Sequence, residues 1–442
     1  MIVLTDEPPR RLKNRIMKYF LPFCGCLLIA LPGLSQRSCG SFDYRQRQLS
    51  LHPALGSAVQ ANEQFTRRQL EIESKETAGA NPTKGSTPNP QVVTIPVVVH
   101  VIYSNSQQNI SDAQIRSQMD ELNRDYQKLN PDTSNIPPYY STLAANCGFQ
   151  FVLAGLDTND RPTTGIVRKH TNITAFSIED DMKSSATGGD NAWDRDRYLN
   201  IWVCNLQGST LGYSSLIGGP KETDGIVVSY TAFGTTGTAT APYNFGRTAT
   251  HEIGHWLNMI HVWGDADCGD DQVADTPPQS AATYGDPTGI VISCGNTPYG
   301  NMYMNYMDFT DDLGMHMFTY GQRDRMRTAF APGGFRYALL SSNAASVAAL
   351  STDQPREIVT TGRGPMLSIY PNPAVSQVSV KMSDGGCLGS VLEVYDQTGQ
   401  RVMSSRVTDL SFGLDVSHLS SGIYFIRVND GKAAAGYKFV KM

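Results

Sequence analysis

Nothing in this sequence is apolar for long enough to cross a bilayer comfortably; the N-terminal run 19–34 is short and interrupted by Gly and Pro. Charge is scarce as well. Asp, Glu, Lys and Arg make up 17% of the residues, and 36 basic against 41 acidic side chains leave a net charge of −5. No long basic run occurs, so the electrostatic footprint of a nucleic-acid binder is missing. No internal repeat is evident, which removes solenoids and propellers. Histidine and cysteine are rare, eight of each among 442 residues, so any grouping of them carries information. A chain this long exceeds a single core of about 250 residues, and two to four folding units are expected. Abundant Gly with little charge fits an extracellular, loop-rich protein.

The N-terminus reads as an address. Arg10, Arg11, Lys13, Arg15 and Lys18 precede the apolar run, and the small residues Gly33 and Ser35 close it. Residues 1–35 are therefore expected to be a signal peptide cut near 35–36, with Met17 an alternative start and a retained anchor the alternative outcome. Residues 36–93 are polar and weakly periodic, with a short helix near 61–74 and a Pro/Gly/Thr/Asn-rich end, and read as a propeptide and linker. A patterned α/β (α+β) domain follows over 94–333. Strands are expected at 94–103, 149–153, 198–204 and 224–230, and helices after Ser111 and over 248–260. Ser111 and Gln114 suggest a capping box, Ile110 and Ile115 a hydrophobic staple, and Ile115, Met119, Leu122, Tyr126 and Leu129 one buried face. Residues 334–365 read as a second linker. Over 366–442 short alternating strands at 367–370, 378–382, 391–395, 401–407, 422–428 and 437–441 suggest a small all-β sandwich.

The chemistry is concentrated in 251–261, His-Glu-Ile-Gly-His-Trp-Leu-Asn-Met-Ile-His. His251 and His255 project from one helical face, one turn apart, and can share a Zn2+ ion. Glu252 is not needed as a ligand, and its carboxylate reaches a zinc-bound water as general base. His261 can return to the metal only if the chain turns, and Asn258 sits where a left-handed residue is required. Three neutral imidazoles leave a fourth position open, as a catalytic zinc site requires. By chance, His-Glu-x-x-His would arise in roughly one such chain in a hundred, and with the third His in about one in several thousand. Solvated helix histidines and a structural zinc are the competing readings. The second is disfavoured by the shortage of Cys ligands and the idle Glu252.

This segment resembles the long metzincin consensus, with Asn258 in place of its Gly. The flanks, Gly246 to Thr250 before it and His261-Val262-Trp263-Gly264-Asp265 after it, resemble the pappalysin family of zinc metalloendopeptidases, over about 94–333. The resemblance implies secreted hydrolysis of peptide bonds in proteins or peptides. Asn305-Tyr306-Met307-Asp308-Phe309 resembles the family's Met-turn, which makes Met307 the apolar floor beneath the metal. Phe309 stands where many relatives carry a Tyr that can donate to the oxyanion. Residues 224–228 resemble the edge strand on which an extended substrate adds. Relatives bind calcium beside the site, which singles out Asp270, Asp271 and Asp275 within the acidic stretch 264–278. They also place an acid in the pocket after the scissile bond. Asp311 and Asp312 are the candidates, with a preference for Arg or Lys there.

Six cysteines remain beyond the signal. Cys268 and Cys294 flank the acidic loop and are expected to pair, and Cys147 and Cys204, at the ends of two expected strands, are the second candidate pair. Cys39, in Arg37-Ser38-Cys39-Gly40, resembles the cysteine switch of metzincin zymogens, where a thiolate blocks the open metal position; a Cys39–Cys387 disulfide or an idle thiol is the alternative. Processing would then fall between 67 and 91, with Lys84 one candidate. The elements Tyr370-Pro371-Asn372-Pro373, Leu414-Asp415-Val416, Gly422-Ile423-Tyr424-Phe425 and Lys438-Phe439-Val440-Lys441 resemble a type IX secretion sorting domain. That implies passage through periplasm and outer membrane, the secretion machinery as partner, and no membrane span in the mature protein. A carbohydrate-binding sandwich is the alternative for this domain. For the whole chain the rivals are an adhesin on a dead protease fold and a zinc amidase or esterase.

Overall fold

A computed structural model describes residues 38–79, 90–345 and, with short interruptions, 367–441. The expected signal peptide, the segment 80–89 with Lys84, the part 346–365 of the expected linker and Cys387 lie outside the described residues, whereas 334–345 is not a linker: it packs on the first unit, with Leu339 in its core and Arg336 buried and ion-paired with Asp224 at 2.7 Å. The chain forms two compact units that divide at 350/351.

In the first unit the elements run β1 (Ser38–Cys39), α1 (Ser41–Leu51), α2 (Ala54–Gly79), β2 (Val93–Tyr103), α3 (Asp112–Tyr126), α4 (Pro138–Ser141), β3 (Phe149–Leu153), β4 (Ile166–His170), β5 (Leu199–Cys204), β6 (Thr210–Ser214), β7 (Ile226–Ser229), α5 (Arg247–Trp256), β8 (Tyr284–Gly285), β9 (Phe309–Thr310) and α6 (Tyr320–Thr328). β2 is the β-branched run 94–103 and becomes the spine of a seven-stranded sheet ordered β1-β6-β7-β5-β2-β3, with β4 on the far half of β2. Pairing is parallel except between β6 and β7, which makes the sheet mixed. Strand alternation divides the core. Val97, Val99, Ile201 and Val203 face α3 and α5, whereas Trp202, Cys204, Val227 and Tyr213 face the other side with Tyr44 and Met182.

Two sequence expectations need correction here. The 224–228 segment is not an edge. It forms β7, paired on both sides and two strands in from the edge; the edge strand is β1, which lies on β6 in parallel register with Cys39 opposite Gly212, so β6 is the edge only of the sheet without β1. A two-residue-long apolar alternation around Gly212 is too weak to announce β6 in advance. Cys147 and Cys204 are free thiols, each fully buried. They belong to core clusters on opposite faces of the sheet, which excludes the bond expected of them.

Helix α3 shows Ser111 accepting from the Gln114 N–H at 3.2 Å. Gln114 does not reciprocate, because its amide is spent on Tyr230 O, Phe233 O and Thr238. It pins the 230–238 loop. Ile115, Met119, Leu122 and Tyr126 are buried, but the helix ends before Leu129, which is 65% exposed.

The second unit holds two antiparallel sheets, β10 (Leu367–Tyr370) with β11 (Gln377–Met382) and β14 (Ser411–Asp415), and β13 (Arg401–Arg406) with β12 (Val391–Asp396), β15 (Gly422–Asn429) and β16 (Ala434–Lys441). Val378, Val380, Leu392, Val394, Leu414, Ile426 and Phe439 share one core cluster. Among the described residues no helix is long and apolar enough to cross a membrane.

Candidate metal centre and active site

α5 begins at Gly246, held left-handed at φ 76°, and ends at Trp256, four residues earlier than the sequence pattern suggests. The chain then turns through Asn258 at φ 72°, the left-handed conformation its type tolerates. Arg325 Nε donates to Asn258 O at 2.9 Å and fixes the turn. His261 thereby comes back beside α5.

The three imidazoles are oriented from behind. His251 Nδ1 meets Tyr306 O at 2.7 Å, and His255 Nδ1 meets Met259 O at 2.9 Å. His261 Nδ1 is bonded to the Asp265 carboxylate. Each acceptor requires a proton on Nδ1, so each Nε2 offers a lone pair. Those Nε2 atoms face one another, that of His255 lying 3.1 Å from each of the other two. Lone pairs so close repel unless a cation lies between them. Zn–N bonds of about 2.0–2.1 Å at tetrahedral angles would separate the nitrogens by about 3.3 Å. The residues present therefore fit a zinc ion. Burial, and next the neighbouring His261, push His255 down to about 3, which keeps its imidazole neutral. Asp265, read from the sequence as one more acid of the loop, is the partner of His261. Trp263 stacks on the His261 ring at 4.3 Å, and Phe309 meets that ring edge-on at 4.9 Å.

Glu252 is buried on the same helix. Its Oε2 accepts from Ser41 Oγ at 2.8 Å and from the Cys39 thiol at 3.5 Å. The Cys39 Sγ lies 3.6 Å from His255 Nε2, and it joins the three histidines in one four-residue cluster of ligand atoms. Burial, and next the Glu252 carboxylate, push the thiol well above its usual value; a divalent cation would reverse that balance. Gly212 of β6 lies directly over Glu252, since a Cβ there would meet Glu252 Cγ and Val227 O at 2.9 Å. Met307 is fully buried beneath α5, and a Cβ on Gly254 would run into its sulfur.

Behind the histidines lies a buried ionic network that sequence reasoning missed. Arg247, 1% exposed, is ion-paired with Asp125, with Glu121 at 3.2 Å and with Asp132 at 2.9 Å. Asp125 also accepts from Thr250 Oγ1 at 2.6 Å and Tyr306 OH at 3.0 Å. Since Tyr306 O holds His251, the network is continuous with the metal centre.

Other expected residues are not gathered at this point. Cys268 and Cys294 are bonded as a disulfide. Asp312 is fully buried and accepts from the backbone N–H of Phe245 and Arg247 at the start of α5, so it cannot meet a substrate side chain. That corrects half of the expected acidic pair; Asp311 is partly exposed. The carboxylates of Asp270, Asp271 and Asp275 do not converge as a set. Asp271 accepts from Thr276 and Val273 N, whereas Asp275 accepts from Thr319 and Gly321 N. Burial raises Asp271 to about 7 and raises Asp275 as well.

Comparison with known proteins agrees with this geometry. Residues 183–331 match the M43 peptidase family described as pregnancy-associated plasma protein-A, and 368–442 match a secretion system C-terminal sorting domain. An extracellular metalloprotease of Pyricularia oryzae is 32% identical over 54% of this chain and 75% of its own length. One from Arthroderma otae is 30% identical over 69% and 97%. Among solved structures, mirolysin in complex with a small compound is 48% identical with a TM-score of 0.56, covering 57% of this chain and 97% of that one. A Tannerella forsythia promirolysin mutant is 41% identical with a TM-score of 0.61, covering 69% and 97%.

Proposed function

The chain belongs to the pappalysin family of metalloendopeptidases, and from that premise we propose that His251, His255 and His261 hold a zinc ion while Glu252 is the general base of peptide-bond hydrolysis. It is an extracellular metalloprotease with a secretion sorting tail. Three imidazole lone pairs converging beside one buried carboxylate support the site assignment more than any other observation. Zinc, when bound, supplies a Lewis acid for the scissile carbonyl and makes water acidic enough to attack near neutral pH. Once β1 has left, β6 becomes the sheet edge and holds the peptide in extended form through the backbone groups that β1 occupies here. Glu252 takes the proton of the attacking water and returns it to the departing amine nitrogen. Phe309 brings a ring but no hydroxyl to the site, so the developing oxyanion takes no hydrogen bond from position 309. Asp311 is our candidate for receiving Arg or Lys after the scissile bond. Cleavage of a peptide library by the processed, zinc-loaded protein tests the activity; a protein that binds one zinc per chain and cuts nothing sinks it.

Latency is part of the same proposal. In the chain as made, β1 occupies the substrate's edge, Cys39 faces the metal position and Ser41 engages Glu252. We read 38–79 as the body of a propeptide, with promirolysin the pro-form of a similar protein. Cys39→Ala in the unprocessed chain should raise its peptidase activity by at least about tenfold, because the loss of only ~1.4 kcal/mol of blocking contact suffices for that. Unchanged latency would assign the block to β1 and Ser41 alone.

For calcium we propose a narrower site than three aspartates. Asp271, raised to about 7 by burial, would be relieved by a divalent cation that completes its shell with loop carbonyls. Stripping calcium with EGTA while zinc is retained should then lower Tm by about 2–4 °C, the equivalent of ~1 kcal/mol in a domain of this size. An unmoved Tm withdraws the ion. The tail over 368–442 is proposed to engage the type IX secretion machinery.

A further inference from the structure

Beside the metal centre, toward the Ser214 end of β6, lies a cavity of about 270 Å³ bordered by Ile217, His255, Asn258, Met259 and Arg325. Two helices of the segment 38–79 close it, with Phe42, Arg45, Val59 and Glu63 on its wall. Arg325 is unusual among its neighbours. It is 1% exposed, and its Nε is committed to Asn258 O. Its other two nitrogens take a fork geometry on one carboxylate, Nη1 to Glu63 Oε1 at 3.1 Å and Nη2 to Glu63 Oε2 at 2.6 Å. Glu63 belongs to α2. The catalytic unit thus carries a buried guanidinium whose only hydrogen-bonded carboxylate, among the described residues, is supplied by the propeptide. Of the unit's own acids nearby, Asp265 is bonded to His261, and Asp271, which feels the Arg325 charge, accepts from Val273 N and Thr276 rather than from Arg325.

A planar guanidinium anchored at Nε is preorganised to take a carboxylate with both Nη groups. Fixed on Asn258 O, it will keep this aim when α2 leaves, because the turn that holds it also carries the metal site. We propose that Arg325 forms an acid-selective subsite of the active cleft, in which Glu63 stands in for an Asp or Glu side chain of the substrate. This rests on the reading that the protein is a peptidase whose segment 38–79 is removed. Orientation follows from the edge strand. β1 runs parallel to β6, whereas the more stable antiparallel ladder carries a substrate from the Ser214 end toward Thr210. Thr210 lies in a second cavity with Pro242, whose carbonyl accepts from Asp312 N, which places Asp311 at that opposite end. The acid-selective subsite therefore falls on the N-terminal side of the scissile bond. The protease would favour sequences with an acidic residue before the cut, and its propeptide would be held by the same contact that selects substrate.

The test is a peptide series on the activated full chain, zinc-loaded, with Glu, Gln, Ala or Lys placed in turn at each of the positions N-terminal to the cut. At one of them Glu should exceed Gln in kcat/KM by about tenfold, the size of one charge-assisted pair, and Lys should fall below Gln. Arg325→Gln should erase the difference and Arg325→Lys should keep part of it, with the cleavage of neutral peptides changed less than that of acidic ones. A wild-type profile with no acid preference on that side overturns the subsite, whether or not the variants fold. Mass spectrometry of the same sample separates the two failures: cleavage by a chain that retains 38–79 overturns the premise that this segment leaves, and the subsite with it.

Discussion

Exchange of Glu252 for Gln should lower kcat of the processed protein by roughly 10³-fold, within the ~10²–10⁴ range of general acid–base catalysis. One zinc per chain should stay bound. The two expectations separate because Glu252 is not part of the histidine cluster whose ring nitrogens converge, whereas its Oε2 is the group that faces the Cys39 thiol and the Ser41 hydroxyl. Gln preserves the volume beneath Gly212, where the clearance is small, but it cannot accept a proton from water. KM should move little, since the backbone of β6, proposed to hold the extended peptide, is untouched by the exchange. A variant that loses zinc together with activity would show that Glu252 organises the metal site instead, and a variant that retains more than a tenth of wild-type kcat would remove it from the proton path.

The second large effect is on stability. Arg247→Met should destabilise the catalytic unit by about 3–5 kcal/mol, the usual result of removing one partner of a buried ionic cluster. Arg247 is the cation that faces Asp125, Glu121 and Asp132, and Asp125 and Glu121 are 2% and 6% exposed. Methionine fills the space but removes the cation paired with Asp125 in a medium that penalises an uncompensated charge, whereas Glu121 keeps Arg124 at 2.5 Å and Asp132 keeps the His316 ring at 3.1 Å. The loss should also reach the metal site, because Tyr306 bonds Asp125 through its hydroxyl and holds His251 through its carbonyl. Thermal unfolding followed with zinc content checks both. A destabilisation under about 1 kcal/mol would mean that water or a shifted Tyr306 satisfies the carboxylates as well as Arg247 does.

What the linear sequence determined is the local chemistry. Spacing of four on a helix fixed His251 and His255 to one face, and the need for a turn picked out Asn258, because both rules act within a single turn of backbone. The buried face Ile115, Met119, Leu122 and Tyr126 and most strands of the small β unit were legible for the same reason. Cys268 and Cys294 could be paired because they bracket one loop. Tertiary structure alone decided what depends on distant segments meeting. β1 and β6 close one side of the sheet, and 224–228 is interior, because strand order is not written in strand composition. Cys147 and Cys204 stay apart because strand alternation sends them to opposite faces. Asp312 caps α5, and Asp265 orients His261, because a carboxylate's role is set by which donor lies within about 3 Å of it in the folded chain. Arg325 and Glu63 are separated by 262 residues, and no periodicity could announce that helix α2 supplies the carboxylate for the Arg325 guanidinium.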